Sequence, residues 1–176
     1  MAARRARDYA ERMNAIATSL TLNHLTVVRA ANRDGLALFD LAADLALEGP
    51  LRVLDGGNCI NIYPLARALR RRTANLSAAL RNVRLARAFT CYQMLALLME
   101  TPADGTPTLA LDLLATFYDE SVPLHESQRL LRLAVLELLR LRAGGPLIVS
   151  ARPPGLPAAN RKPLYAALLS AAEELR

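Results

Sequence analysis

The chain has 176 residues, 53% of them apolar, and a formal net charge of +6. That length supports one domain with a sizeable core, and so apolar a composition excludes a disordered chain. No apolar run reaches the roughly 18 residues that a membrane span needs, so no membrane partner is expected.

The opening stretch, MAARRARDYAERMNAIATSL, is basic but carries Asp8 and Glu11 and has no compact apolar block. It predicts a helix over about 6–18, not a signal peptide, and the two acids disfavour a transit peptide. LTVVRA (25–30) is rich in β-branched residues and predicts a short strand. GLALFDLAADLALEG (35–49) predicts a helix that is apolar on nearly every side, lying against a sheet and covered in its turn. Gly49 and Pro50 end it. LRVLD (51–55) predicts the second strand, and GGN follows.

IYPLARALRRRT (62–73) predicts a helix with Pro64 in its first turn. NVRLARAF (82–89) predicts a third strand, and TCYQMLALLMET (90–101) a helix capped by Thr90. After the turn ADGTP, TLALDLLATFYDE (108–120) opens as a wholly apolar strand that ends in Asp112. LHESQRLLRLAVLELLRLRAG (124–144) predicts a long helix, PLIVSA (146–151) a last buried strand, RPPGLP a loop, and 162–175 a terminal helix. Five short apolar strands alternating with helices demand an α/β fold. Its sheet is mainly parallel with helices on both faces, because parallel strands need crossovers. The chain shows no internal repeat, and 1–176 is expected to form a single domain.

Cys59 and Cys91 are too few for a disulfide framework, which fits a reducing, cytoplasmic setting. With His24 and His125 they form no metal-ligand spacing, so no metal is expected. Ser150 has no His and Asp pattern beside it to make it a nucleophile. Tyr92, Phe117 and Tyr118 are expected in the core or at its edge. The basic residues are 21 arginines and a single lysine, Lys162. This balance permits binding to a polyanion, and it fits a solvated surface equally well.

Several stretches, taken in order, resemble the ATPase core of the RecA family of recombinases and their paralogues. RVLDGGNCINIYPLARALRR resembles the second strand and the helix after it, and NVRLARAFTCYQMLALL the next segment and helix. LALDLLATFYDE resembles the Walker B strand with its extension, and LLRLAVLELLRLRAGGPLIVSARP the long helix and final core strand. The resemblance covers about 22–153. It implies a RecA-like, P-loop-type fold, with strand order 3-2-4-5-1 and the strand at 25–30 beside that at 146–151.

In the same register, AANRDGLA falls where the family keeps its phosphate loop, G-x-x-x-x-G-K-[ST]. Ala30 replaces the first glycine, and only Gly35 is kept. Leu36 replaces the lysine that neutralises phosphate, and Ala37 replaces the hydroxyl that holds Mg²⁺. Asp34 would repel phosphate and Arg33 would offset it only partly. The family's catalytic glutamate falls at Gly57, and its γ-phosphate sensor near Arg152. Only Asp112, at the Walker B position, persists. The resemblance therefore implies a degenerate nucleotide site made of Asn32, Arg33, Asp34, Gly35, Leu36, Ala37 and Asp112, without catalytic residues or a cofactor. Asp112 is a strand-end residue bonded to nearby backbone or, alternatively, a metal ligand.

The densest basic run, Arg70, Arg71 and Arg72, closes a helix, where cations suit the helix dipole. A solvated helix end, a DNA backbone contact and a protein contact all remain open for it. Arg152, Arg161 and Lys162, in the exposed-looking stretch RPPGLPAANRK, complete the set of candidate DNA contacts. The stretch YDESVPLHE, at the family's first DNA loop, is acidic. The implied function is a non-catalytic RecA-like binding or scaffold subunit in DNA repair or recombination. Its partner would be a RecA-type ATPase, DNA bound weakly and without sequence preference, or a second copy of itself. The alternative is an atypical nucleotide-binding ATPase of the same family.

Overall fold

A computed structural model describes residues 25–29, 34–58 and 62–173, with backbone only for 34–36 and 173. The helix expected over 6–18 lies outside these residues, as do Asn32 and Arg33.

Five strands form one sheet: β1 (Thr26–Arg29), β2 (Leu51–Asp55), β3 (Val83–Arg87), β4 (Thr108–Leu111) and β5 (Leu147–Ala151). Every pairing is parallel and the order is 3-2-4-5-1. β1 lies at one edge against β5, with Thr26 opposite Ile148 and Arg29 opposite Ala151. Helices α1 (Asp34–Glu48), α2 (Ile62–Arg70), α3 (Leu76–Arg81), α4 (Cys91–Glu100), α5 (Leu124–Gly144) and α6 (Lys162–Glu173) connect and flank the strands.

The two-residue period of the strands sorts the core into two layers. Leu51, Val53, Leu109, Leu111 and Ile148 point to one face, where Leu38, Leu41, Ala43 and Ala46 of α1 meet Leu65 and Leu69 of α2. Leu54, Ala110, Leu147 and Val149 point to the other, against Met94 and Leu98 of α4, Leu131, Ala134 and Leu138 of α5, and Leu164 and Leu168 of α6. The nearly all-round apolarity of α1 has its cause here: one side meets the sheet and α2 covers another. Thr90 caps α4, accepting from the Gln93 N–H at 3.2 Å, while the Gln93 side chain accepts from the Phe89 N–H at 2.8 Å.

One element departs from the expectation: a six-residue helix, α3, occupies a stretch too short to show a period, and Asn75 caps it through the Ala78 N–H. β4 ends at Leu111, one residue before the expected Asp112, and a 3₁₀ turn at Ala115–Tyr118 follows. The break is at Asp112, whose φ of 49° is left-handed and cannot continue a strand.

The interior strand β2 is buried throughout, Arg52 included. Its guanidinium reaches out of the sheet to the Pro102 carbonyl at 3.0 Å and to both oxygens of Asp104 at 2.8 and 2.6 Å. Those bonds, with the Thr106 N–H, hold the Asp104 carboxyl well below its ordinary value of 3.8. A depressed carboxyl stabilises the folded state above the unfolded value, and the contribution drains away as the pH falls through the folded one. Stability is therefore expected to decline from about pH 4 downward. Asp104→Asn should flatten that acid limb by lowering the stability at neutral pH, with a smaller difference from the parent in acid, which urea midpoints at about pH 6 and pH 3 will check. An acid limb as steep as the parent's would exclude Asp104 as its source.

Candidate functional site at the strand ends

The chain crosses the sheet in one direction and returns in the other. α1, α2 and α3 carry it from β1 to β2 and on to edge strand β3 over one face; α4 and α5 bring it back to β4 and β5 over the other. Neighbours β2 and β4 thus send their continuations apart. In open parallel sheets this divergence opens the crevice, beyond the carboxyl ends of the strands, where ligands bind.

In this protein the crevice is occupied by its own side chains. Asp112, at the end of β4, is 3% exposed. Its carboxylate receives the guanidinium of Arg152, from the end of β5, through Nε at 2.9 Å and through a second, shorter bond from Nη2. Its N–H donates to the Ser150 hydroxyl at 2.8 Å. Tyr118 donates its hydroxyl to the Arg152 carbonyl at 2.7 Å. Burial first, and then the nearby Asp112 carboxylate, push the Tyr118 hydroxyl far above the usual tyrosine range, so it stays a donor. From the β2 side, Gly57 presses on the same carboxylate: a Cβ there would lie 2.6 Å from Asp112 Cβ and closer still to Oδ2. Beside it, Asp55 is wholly buried and pairs with Arg87 of β3 at 3.0 Å.

The residues do not fit a magnesium nucleotide. The carboxylate of Asp112 already carries a cation. Gly57 supplies no carboxylate and has no room for one. Asp34, Gly35 and Leu36 form the first turn of α1 without a lysine, and Ala37 is buried with no oxygen to offer. The sequence allowed Asp112 to be a metal ligand or a residue bonded to backbone; its side chain is instead in an ion pair with Arg152. Both partners stood out in the sequence. Their contact follows from the adjacency of β4 and β5, one strand ending in an acid and the next in a base. Among the described residues no cluster of His, Cys, Asp and Glu could hold a metal.

The candidate DNA contacts do not come together. α2 leaves the carboxyl end of β2, so its last residues lie toward the amino ends of the strands, whereas Arg152 follows the carboxyl end of β5. Arg71 bonds Asp40 at 2.8 Å, and Arg72 bonds Asp40 at 2.9 Å and Asp44 at 2.6 Å, fastening α2 to α1. Arg70 and Lys162 are exposed. Arg161, expected on the surface, is 2% exposed and is corrected to an interior residue. Its guanidinium donates to the Ser127 hydroxyl and the Asp119 carbonyl, both at 3.0 Å, and to the Val122 carbonyl. Of the aromatic residues, Phe117 is wholly buried, Tyr118 is half-buried, and Tyr92 is exposed instead of lying at the core edge. No helix among the described residues is long and apolar enough to cross a membrane. No protein-family model and no curated protein matches this sequence.

Proposed function

We propose that the chain is a non-catalytic RecA-like subunit, a cytoplasmic binding or scaffold protein of DNA repair or recombination. It works through a RecA-type ATPase, DNA or a second copy of itself. The strand order agrees with that resemblance. One observation carries the non-catalytic part: Arg152 neutralises Asp112 while Gly57 packs against the same carboxylate, at the crevice where a nucleotide enzyme would place its metal and base. Each missing group removes a separate electrostatic or general-base contribution. Weak DNA binding, if carried by this chain, falls to exposed cations such as Arg70 and Lys162 and weakens steeply with salt.

Calorimetric titration with Mg-ATP tests the reading. No dissociation constant tighter than about 1 mM, equivalent to roughly 4 kcal/mol, is expected, and no turnover. Micromolar affinity would overturn it in favour of the atypical ATPase.

A further inference from the structure

The net charge of the chain is concentrated in one stretch. Residues 56–99 hold seven arginines and no acid, whereas all the other residues together hold fifteen cations against sixteen acids. That stretch builds α2, α3, β3 and most of α4, which form the edge of the sheet bounded by β3. Three of the seven are neutralised: Arg71 and Arg72 by acids of α1, and Arg87 by Asp55. Arg67, Arg70, Arg81 and Arg84 are exposed and have no acid partner among the described residues. Arg67 and Arg70 lie in the last turn of α2, Arg81 ends α3, and Arg84 is the second residue of β3, so all four lie toward the amino ends of the strands. Arg84 shares a face of β3 with Ala86, which packs toward the α4 layer, while α2 and α3 cover the opposite face. The arginines thus bracket the edge strand from both sides.

The carboxyl end of the same edge is aromatic. Tyr63 in the first turn of α2, Phe89 just past β3 and Tyr92 in the first turn of α4 are 77%, 67% and 51% exposed. They are the three exposed aromatic side chains among the described residues. An edge strand guarded against pairing with another sheet needs charge, but it does not need bare rings, which mark a contact surface.

We propose that this edge binds single-stranded nucleic acid. The four arginines take the phosphates, and bases stack on Phe89 and the neighbouring rings, with the faces that only an unpaired strand presents. The choice of nucleic acid among polyanions rests on the DNA reading above; the place of the site rests on the charge and the rings. Binding falls to Arg70 with its three neighbours, and not to Lys162, which begins α6 on the other layer.

Anisotropy of a labelled oligothymidylate of about 15 nucleotides, titrated with the full chain at low salt, tests this. Arg67→Gln, Arg70→Gln, Arg81→Gln and Arg84→Gln together should weaken binding at least about thirtyfold. They should also flatten the slope of log affinity against log salt by about 3, since each lost phosphate contact removes roughly 0.7. Arg29→Gln, Arg132→Gln and Lys162→Gln together remove exposed cations elsewhere and should weaken binding less than about threefold. Phe89→Ala should weaken it at least about fivefold with the salt slope unchanged, and a duplex should bind less tightly than the single strand. All these side chains are exposed, so each variant should melt with the parent. Equal losses from the two charge-removing sets would overturn the site while leaving diffuse DNA binding in place. No complex with the parent chain would overturn the site together with the DNA part of the proposed function. Full affinity in Phe89→Ala, or tighter binding of the duplex, would overturn the single-stranded partner.

Discussion

Arg161→Ala should lower the unfolding free energy by about 3 kcal/mol, and the melting temperature by roughly 6–12 °C, without changing any DNA affinity of the chain. The guanidinium is a buried spacer that joins three separate pieces of chain. It ties the turn before α6 to the Asp119 and Val122 carbonyls and to Ser127 in the first turn of α5. Truncation leaves these acceptors facing a void instead of water, and a buried polar group without a partner costs more than its bond was worth. Lysine should recover little, because an ammonium cannot donate in the planar fork that reaches three acceptors. Urea denaturation of the alanine and lysine variants measures both effects. A loss below about 1 kcal/mol would mean that Arg161 is solvated and open to contact with a phosphate.

Gly57→Glu, which would place a second carboxylate beside Asp112, is expected to cost about 4 kcal/mol or prevent folding. A Cβ at this position collides with Asp112, and one at neighbouring Gly56 would lie 2.7 Å from the Met94 side chain and 3.0 Å from the Asp112 carbonyl. Asp112 has no free path of retreat, since its backbone is fixed by Ser150 and its side chain by Arg152. A second carboxylate beside a buried one adds repulsion. Gly57→Ala should already cost about 2 kcal/mol from the collision alone. Combining it with Asp112→Gly, which removes the obstacle and suits the left-handed backbone, should shrink that penalty below about 1 kcal/mol. Additive losses in this double-mutant cycle would show that the two positions do not touch.

The parts of the architecture that were legible in the sequence are those set by local chemistry. Wholly apolar runs such as 109–111 and 147–149 announced strands buried on both faces, and Thr90 announced a helix start. What escaped was set by distant partners. Nothing local distinguishes Arg161 from Lys162, yet one is buried because Asp119 and Val122, some forty residues earlier, offer carbonyls to it. Arg72 looked like part of a basic patch, but Asp40 and Asp44 lie one turn apart on α1 where they can receive it. The helix α3 was hidden by its brevity; Asn75 was its one visible sign. Asp112 and Arg152 were both visible in the sequence, but their pairing required the sheet order as well.

The edge position of β1 bears on how the molecule assembles and opens. Among the described strands, β1 bonds only to β5, the last of them in the chain, and it is less buried than any of β2, β4 or β5. The first described strand therefore has no ladder to join until β5 is in place, and the loop it must close spans most of the described sequence. Strands β2 to β5 can nucleate without it. The earliest opening of the native state should accordingly be the peeling of β1 from β5, exposing an unpaired edge while the remainder keeps its sheet.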